Sequence, residues 1–155
     1  MRALAESATR HSFDLCLARL QRVELVTKWP PPAMYLAAAF IRQRDVRQAA
    51  SALRVAESIR GKRGYLLLGF FLDNIAALAA LNAQQTAAAC LFGAADAFLE
   101  SHALKIEVEP WMEEVKRELR GVLGEERFVA SYQAGRKLSL EETLTLMRDV
   151  LDTIG

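Results

Sequence analysis

The string QTAAACLFGAADAFL at residues 85–99 decides how the rest of the chain is read. Alanine fills it, Gly93 sits near its middle, and Phe92 and Phe98 supply the bulk. Alanine is the strongest helix former, so the stretch is expected to be helical, running to about His102. A helix of this kind does not stand alone in water and draws its stability from packing. Its small residues let a second helix approach closely, so neighbours are expected on more than one side.

Immediately upstream, residues 65–81 are almost wholly apolar and predict the most buried helix, with Asn82-Ala83-Gln84 as a short turn after it. Further upstream the same layout recurs. Residues 33–42 are apolar, Gln43-Arg44-Asp45 is a polar turn, and residues 46–60 carry Val46, Ala49, Ala50, Leu53, Ala56 and Ile59 on one helical face. At an offset of 39 positions, Ala50 falls on Ala89, Leu53 on Phe92, Ala56 on Ala95 and Ile59 on Phe98. This is a helical-hairpin repeat near the period of tetratricopeptide-like units. Gly61-Lys62-Arg63-Gly64 breaks the chain between the two hairpins.

On either side of the hairpins the pattern stays helical. Residues 3–29 predict an N-terminal segment ended by Pro30-Pro31-Pro32, since proline stops one helix and is tolerated in the first turn of the next. Pro110 opens a helix with Trp111, Val115, Leu119 and Val122, and Gly121-Val122-Leu123-Gly124 offers a stop. A helix over 125–134 is expected to end at Gly135. Ser139-Leu140-Glu141-Glu142 is a capping box ahead of a last helix with Leu140, Leu144, Met147 and Leu151 on one stripe. The expectation is one all-α domain over 1–155. It comprises an N-terminal segment (1–29), two hairpins (33–102) and C-terminal capping helices (108–155). The whole is a right-handed, tetratricopeptide-like array of seven or eight helices.

Composition agrees. Hydrophobic residues make up 52%, charged residues 25%, and the net charge is +1, which excludes a disordered chain and a general polyanion binder. Cys16 and Cys90 lie in apolar helical patterns and read as buried free thiols. Residues 1–10 lack the apolar core of a secretory leader, and the longest apolar run, 65–72, is far short of a membrane span. A cytoplasmic protein without membrane contact is expected.

Four segments resemble one family. Residues 87–98, AAACLFGAADAF, are similar to a segment near the end of large bacterial LuxR-type and AfsR-like regulators. LGEERF at 123–128 and YQAGRKLSLEE at 132–142 resemble two further segments of those proteins, in the same order. LDNIAALAAL at 72–81 resembles the helix before them. The resemblance covers about residues 33–150. It departs where Cys90 replaces an arginine, Tyr132 a tryptophan and Thr143 an alanine. It implies a tetratricopeptide-like helical scaffold or sensor module of an ATPase-linked transcriptional regulator, free-standing or a C-terminal piece. Its partner is expected to be another protein or the regulator's other domains. Residues 61–64 lack the spacing and the serine or threonine of a phosphate-binding loop, and no DNA-reading helix pair follows Leu151.

Candidate site residues are few. Arg42, Arg44, Arg47, Arg54, Arg60, Lys62 and Arg63, against Asp45 and Glu57, give residues 42–63 a local charge of +5. They make either a solvated helix exterior or an anionic-partner site, nucleic acid being the lower-ranked occupant. Residues 96–127 carry a balance of −4, so basic and acidic ends predict head-to-tail stacking in a homo-oligomer. Asp73 and Asn74, inside the most apolar helix, are expected to need partners: they either face the loop side or cap a neighbouring helix, or line a groove that takes a peptide or a small ligand. Glu113, Glu114 and Glu118 read as an exposed face, and Trp29 and Trp111 as packing residues. His11 and His102 are far apart without metal-ligand spacing, and Ser101-His102 forms no nucleophile elbow, so no metal, cofactor or enzyme activity is expected.

Overall fold

The computed structural model describes residues 32–60, 68–102 and 109–155. The expected helix over 3–29, Cys16, Trp29, the break at 61–64 and the start of the apolar stretch at 65–67 lie outside the described residues. Within them the chain is all-α: seven helices and no strand. These are α1 Pro32–Arg42, α2 Val46–Arg60, α3 Leu68–Leu81, α4 Gln85–Ser101, α5 Pro110–Leu123, α6 Glu125–Arg136 and α7 Leu140–Asp152. No helix among the described residues is long and apolar enough to cross a membrane.

The 39-residue echo is visible in backbone geometry. Arg44 and Ala83, 39 positions apart, both adopt positive φ, 60° and 57°. Around them the same bonds recur. Gln43 N–H donates to Ala39 O at 3.1 Å and Asn82 N–H to Leu78 O at 3.0 Å. Asp45 N–H donates to Phe40 O and Gln84 N–H to Ala79 O, both at 2.9 Å. A left-handed residue closed by a six-to-one bond is the Schellman ending, which satisfies the last carbonyls of a helix and turns the chain sharply. The same turn therefore joins α1 to α2 and α3 to α4. The matched small and large positions, Ala50 and Ala89, Leu53 and Phe92, Ala56 and Ala95, are all buried.

α3 is buried nearly all round, from Leu68 and Phe71 to Ala79, and sits at the centre of the core. α1 packs along α2, and α3 along α4 and against α1 and α2. Leu53, Phe71, Ile75, Leu78, Leu91 and Phe92 are fully buried at these seams, and Met147 and Val150 where α7 meets α3 and α4. Each such side chain is worth roughly 1.5–3 kcal/mol of transfer free energy.

The second half is seated by glycines. α4 runs closely along α6, and each presents a glycine to the other's backbone. A Cβ on Gly93 would overlap the carbonyl oxygen of Tyr132, and one on Gly135 would overlap that of Cys90. Gly135 was expected to end its helix. It lies in the last turn of α6, which runs one residue further to Arg136, and it is buried there because hydrogen at Cα is what allows the contact.

α5 starts at Glu109 with Pro110 in its first turn and stops at Gly124, whose φ of 80° permits the abrupt entry into α6. Ser139 and Glu142 form the expected capping box at α7. The apolar stripe of α7 is rotated from the expected one. Thr143, Met147, Val150 and Leu151 are buried, whereas Leu140 is exposed. Arg54 Nη2 donates to Leu151 O at 2.7 Å, placing a cation at the carbonyl end of α7, where the helix dipole favours it. Gln84 Nε2 donates to Thr153 Oγ1 at 2.8 Å, so the second repeated turn also holds the end of α7.

Candidate functional site

The ends of α1 and α3 and the outer face of α5 enclose an open groove of about 400 Å³. Its floor is apolar: Ile41 from α1, Ala80 and Leu81 from α3, and Val115 and Leu119 from α5. Arg42 and Arg44 form one wall, while Glu114 and Glu118, one turn apart on α5, form the other. Trp111 and Val122 flank the acidic wall, and Val122 is 70% exposed. The Trp111 indole N–H donates to Glu109 Oε2, which fixes the ring at the start of α5. Arg44 Nη2 reaches Glu118 Oε2 at 3.4 Å across the groove. Both side chains are more than half exposed, so the bridge is worth little and is easily opened. The groove thus offers an apolar floor between walls of opposite charge.

On its inward face, α5 joins a polar cluster. Lys116 Nζ lies 3.9 Å from Asp96 Oδ2 of α4, 3.8 Å from Glu113 Oε1, and 5.0 Å from the centroid of the Phe92 ring. The Tyr132 hydroxyl of α6 donates to Asp96 Oδ2. Burial, and then this bond to Asp96, push the phenol up to about 12. Arg136 grips Glu100 in bidentate fashion at 2.6 and 3.2 Å, which raises the guanidinium and holds the Glu100 carboxyl below its ordinary range.

Asp73 of α3 stands at the edge of this cluster. Its Oδ1 is buried without a hydrogen-bond partner. Burial raises the carboxyl from 3.8 to about 7; Lys116 pulls it down, and Asp96 and Glu113 push it up. Asn74 donates from Nδ2 to Phe70 O at 2.9 Å, and its Oδ1 is likewise buried and unpartnered.

The expected site residues are therefore spread over several places. Asn74 is buried and Asp73 half-buried along α3, and neither lines the groove, since its floor is the far end of α3 at Ala80 and Leu81. Arg42 lines the groove, and Arg47 is exposed on the first turn of α2. Arg60 ends α2, and Lys62 and Arg63 lie outside the described residues. Arg54 and Arg44, counted with them as a basic run, are engaged by Leu151 O and Glu118. The groove residues Trp111, Glu114 and Glu118 were read only as packing and an exposed face. Their signal was the 114/118 spacing, which places both acids on one side of α5.

A second cavity, about 360 Å³, lies between the start of α3, the end of α4 and the α6–α7 turn, with Leu72, Phe98 and Leu138 against His102 and Arg136. Among the described residues, no group of histidine, cysteine or carboxylate side chains is placed to hold a metal ion. The chain matches no protein-family model, no curated protein and no solved structure.

Proposed function

We propose that this protein is a non-enzymatic, tetratricopeptide-like scaffold whose groove docks a segment of another protein. The observation that carries this reading is the groove's construction. It is lined by the first helix of each successive pair, α1, α3 and α5, and the first two pairs share one turn geometry. Repeat arrays bind along such surfaces because stacked helices leave an extended concavity. The apolar floor supplies burial, and the split-charge walls fix the direction of a bound segment, since electrostatic complementarity sets register and specificity more than affinity. The fitting partner is an amphipathic segment with an apolar ridge, acidic on the edge facing Arg42 and Arg44 and basic on the edge facing Glu114 and Glu118. The resemblance to LuxR-type regulators supports a setting in signal-dependent transcription, with the partner another protein or another domain of a larger regulator.

Phage-displayed peptides selected on the full chain test this. Peptides with the expected charge order should be enriched and should lose tenfold or more in affinity to Val122→Asp or Glu118→Arg. Equal binding to wild type and both variants refutes the reading.

Small-ligand sensing is a second reading, favoured by the 360 Å³ cavity, which combines apolar walls with His102 and Arg136. A thermal shift with a metabolite panel, lost in His102→Ala, is its measurement.

A further inference from the structure

We propose that Asp73 is a proton-operated latch: its carboxylate competes with Asp96 and Glu113 for Lys116, and the outcome sets how α5 seats on α3 and α4. Two carboxylates, Asp96 and Glu113, share one ammonium, and a third, Asp73, lies within reach of its field. Lys116 holds neither of its two ion-pair partners tightly, at 3.9 and 3.8 Å, and rests over the Phe92 ring. A lysine shared at these distances moves at little cost. Asp73 meanwhile has an oxygen buried without a partner, which a carboxylate tolerates poorly and a neutral acid tolerates better. Among the described residues, the charges acting on Asp73 come from α4 and α5: Lys116, Asp96 and Glu113. With Asp73 protonated, Lys116 stays between Asp96 and Glu113. With Asp73 ionised, the uncompensated oxygen draws Lys116 towards α3, and α5 shifts with it.

The consequence reaches the groove. The face of α5 opposite Lys116 carries Glu114, Val115 and Glu118, which form the floor and acidic wall. A proton on Asp73 thus regulates the width of the docking surface. That consequence rests on the proposed groove reading, whereas the latch is tested without any groove ligand, so either can fail without the other.

The test is a pH titration of backbone amide NMR shifts in the full chain between pH 5.5 and 8.5. Amides of residues 113–118 should move with one midpoint near neutrality, and Asp73→Asn should abolish the movement. Histidines also change charge in this range, so the His11→Gln/His102→Gln variant should keep it. Lys116→Met, which removes the group that carries the movement to α5, should flatten the response of residues 113–118, while the Asp73 amide still titrates with its midpoint moved to higher pH. This variant also keeps the latch refutable if Asp73→Asn does not fold. A flat wild-type titration, a transition that survives Asp73→Asn or vanishes in the histidine variant, or, in Lys116→Met, a 113–118 response that persists or an Asp73 midpoint that does not move overturns the latch.

Discussion

Replacing Gly93 by alanine should destabilise this protein, although glycine is a poor helix residue. In an open helix the change gains about 1 kcal/mol, because alanine loses less backbone freedom. Here the added Cβ would overlap the Tyr132 carbonyl oxygen, and would lie 2.9 Å from its carbon and 3.2 Å from Arg136 N. These are backbone atoms in the last two turns of α6, so no side-chain rotation relieves them, and α4 and α6 must separate. Overpacking of this kind costs about 1–3 kcal/mol and occasionally more, and separation also loosens the buried residues on both helices. The net loss should be about 2 kcal/mol, which lowers the melting temperature by roughly 4–8 °C in a domain of this size. Gly135→Ala, facing Cys90 in the same crossing, should behave alike. The double variant should lose less than the sum, because helices already forced apart accommodate the second methyl. Gly121→Ala is the control: nothing lies within 4 Å of its Cβ, so it should be stabilised by about 0.5–1 kcal/mol. Thermal and urea unfolding followed by circular dichroism read all four. A Gly93→Ala protein as stable as wild type would refute the close-approach account.

Asp73→Asn should stabilise the fold at pH 8 and do nothing below about pH 4. The folded carboxyl titrates near 7 and the unfolded one near 3.8, so the folded chain holds the extra proton and stability falls as pH rises between those values. At about 1.4 kcal/mol per tenfold change in proton affinity, the effect is at most about 4 kcal/mol, read as the difference between variant and wild-type unfolding curves across pH. Ala83→Gly should stabilise by about 1 kcal/mol, because glycine takes the left-handed turn without a Cβ penalty; equal denaturation midpoints would contradict the turn geometry. Ser139→Ala should cost about 1 kcal/mol in the same assay and increase amide exchange in the first turn of α7, since it removes the acceptor for Glu142 N–H.

Much of the helical layout was legible because each helix carries its own punctuation. Pro110, Gly124 and the Ser139–Glu142 box mark boundaries through local backbone chemistry, and the structure uses all of them. The alanine stretch at 85–99 announced a close neighbour, and α6 is one. Its complement was read in part: Gly135 marks the last turn of α6, and only the crossing with Cys90 shows why a glycine is needed there. The turns at 43–45 and 82–84 were legible as polar breaks, but the left-handed residues within them, Arg44 and Ala83, carried no signal of their own, since neither is glycine. Asp73 was flagged as a polar residue in an apolar helix, but its surroundings are assembled from α4 and α5, which local pattern does not reveal. The groove was missed in detail for the same reason. Trp111 and Glu118 acquire meaning only when α5 is placed across from Arg42 and Arg44.

The central claim is that the surface built by α1, α3 and α5 is where a partner docks. Backbone amide NMR of the labelled full chain, titrated with a selected peptide, tests it most directly. The account predicts that the largest shift changes fall at Ile41, Arg42, Leu81, Trp111, Val115 and Glu118, and that the Arg44–Glu118 bridge opens. Shift changes centred on the outer face of α7 or on the cavity beside His102 would contradict it.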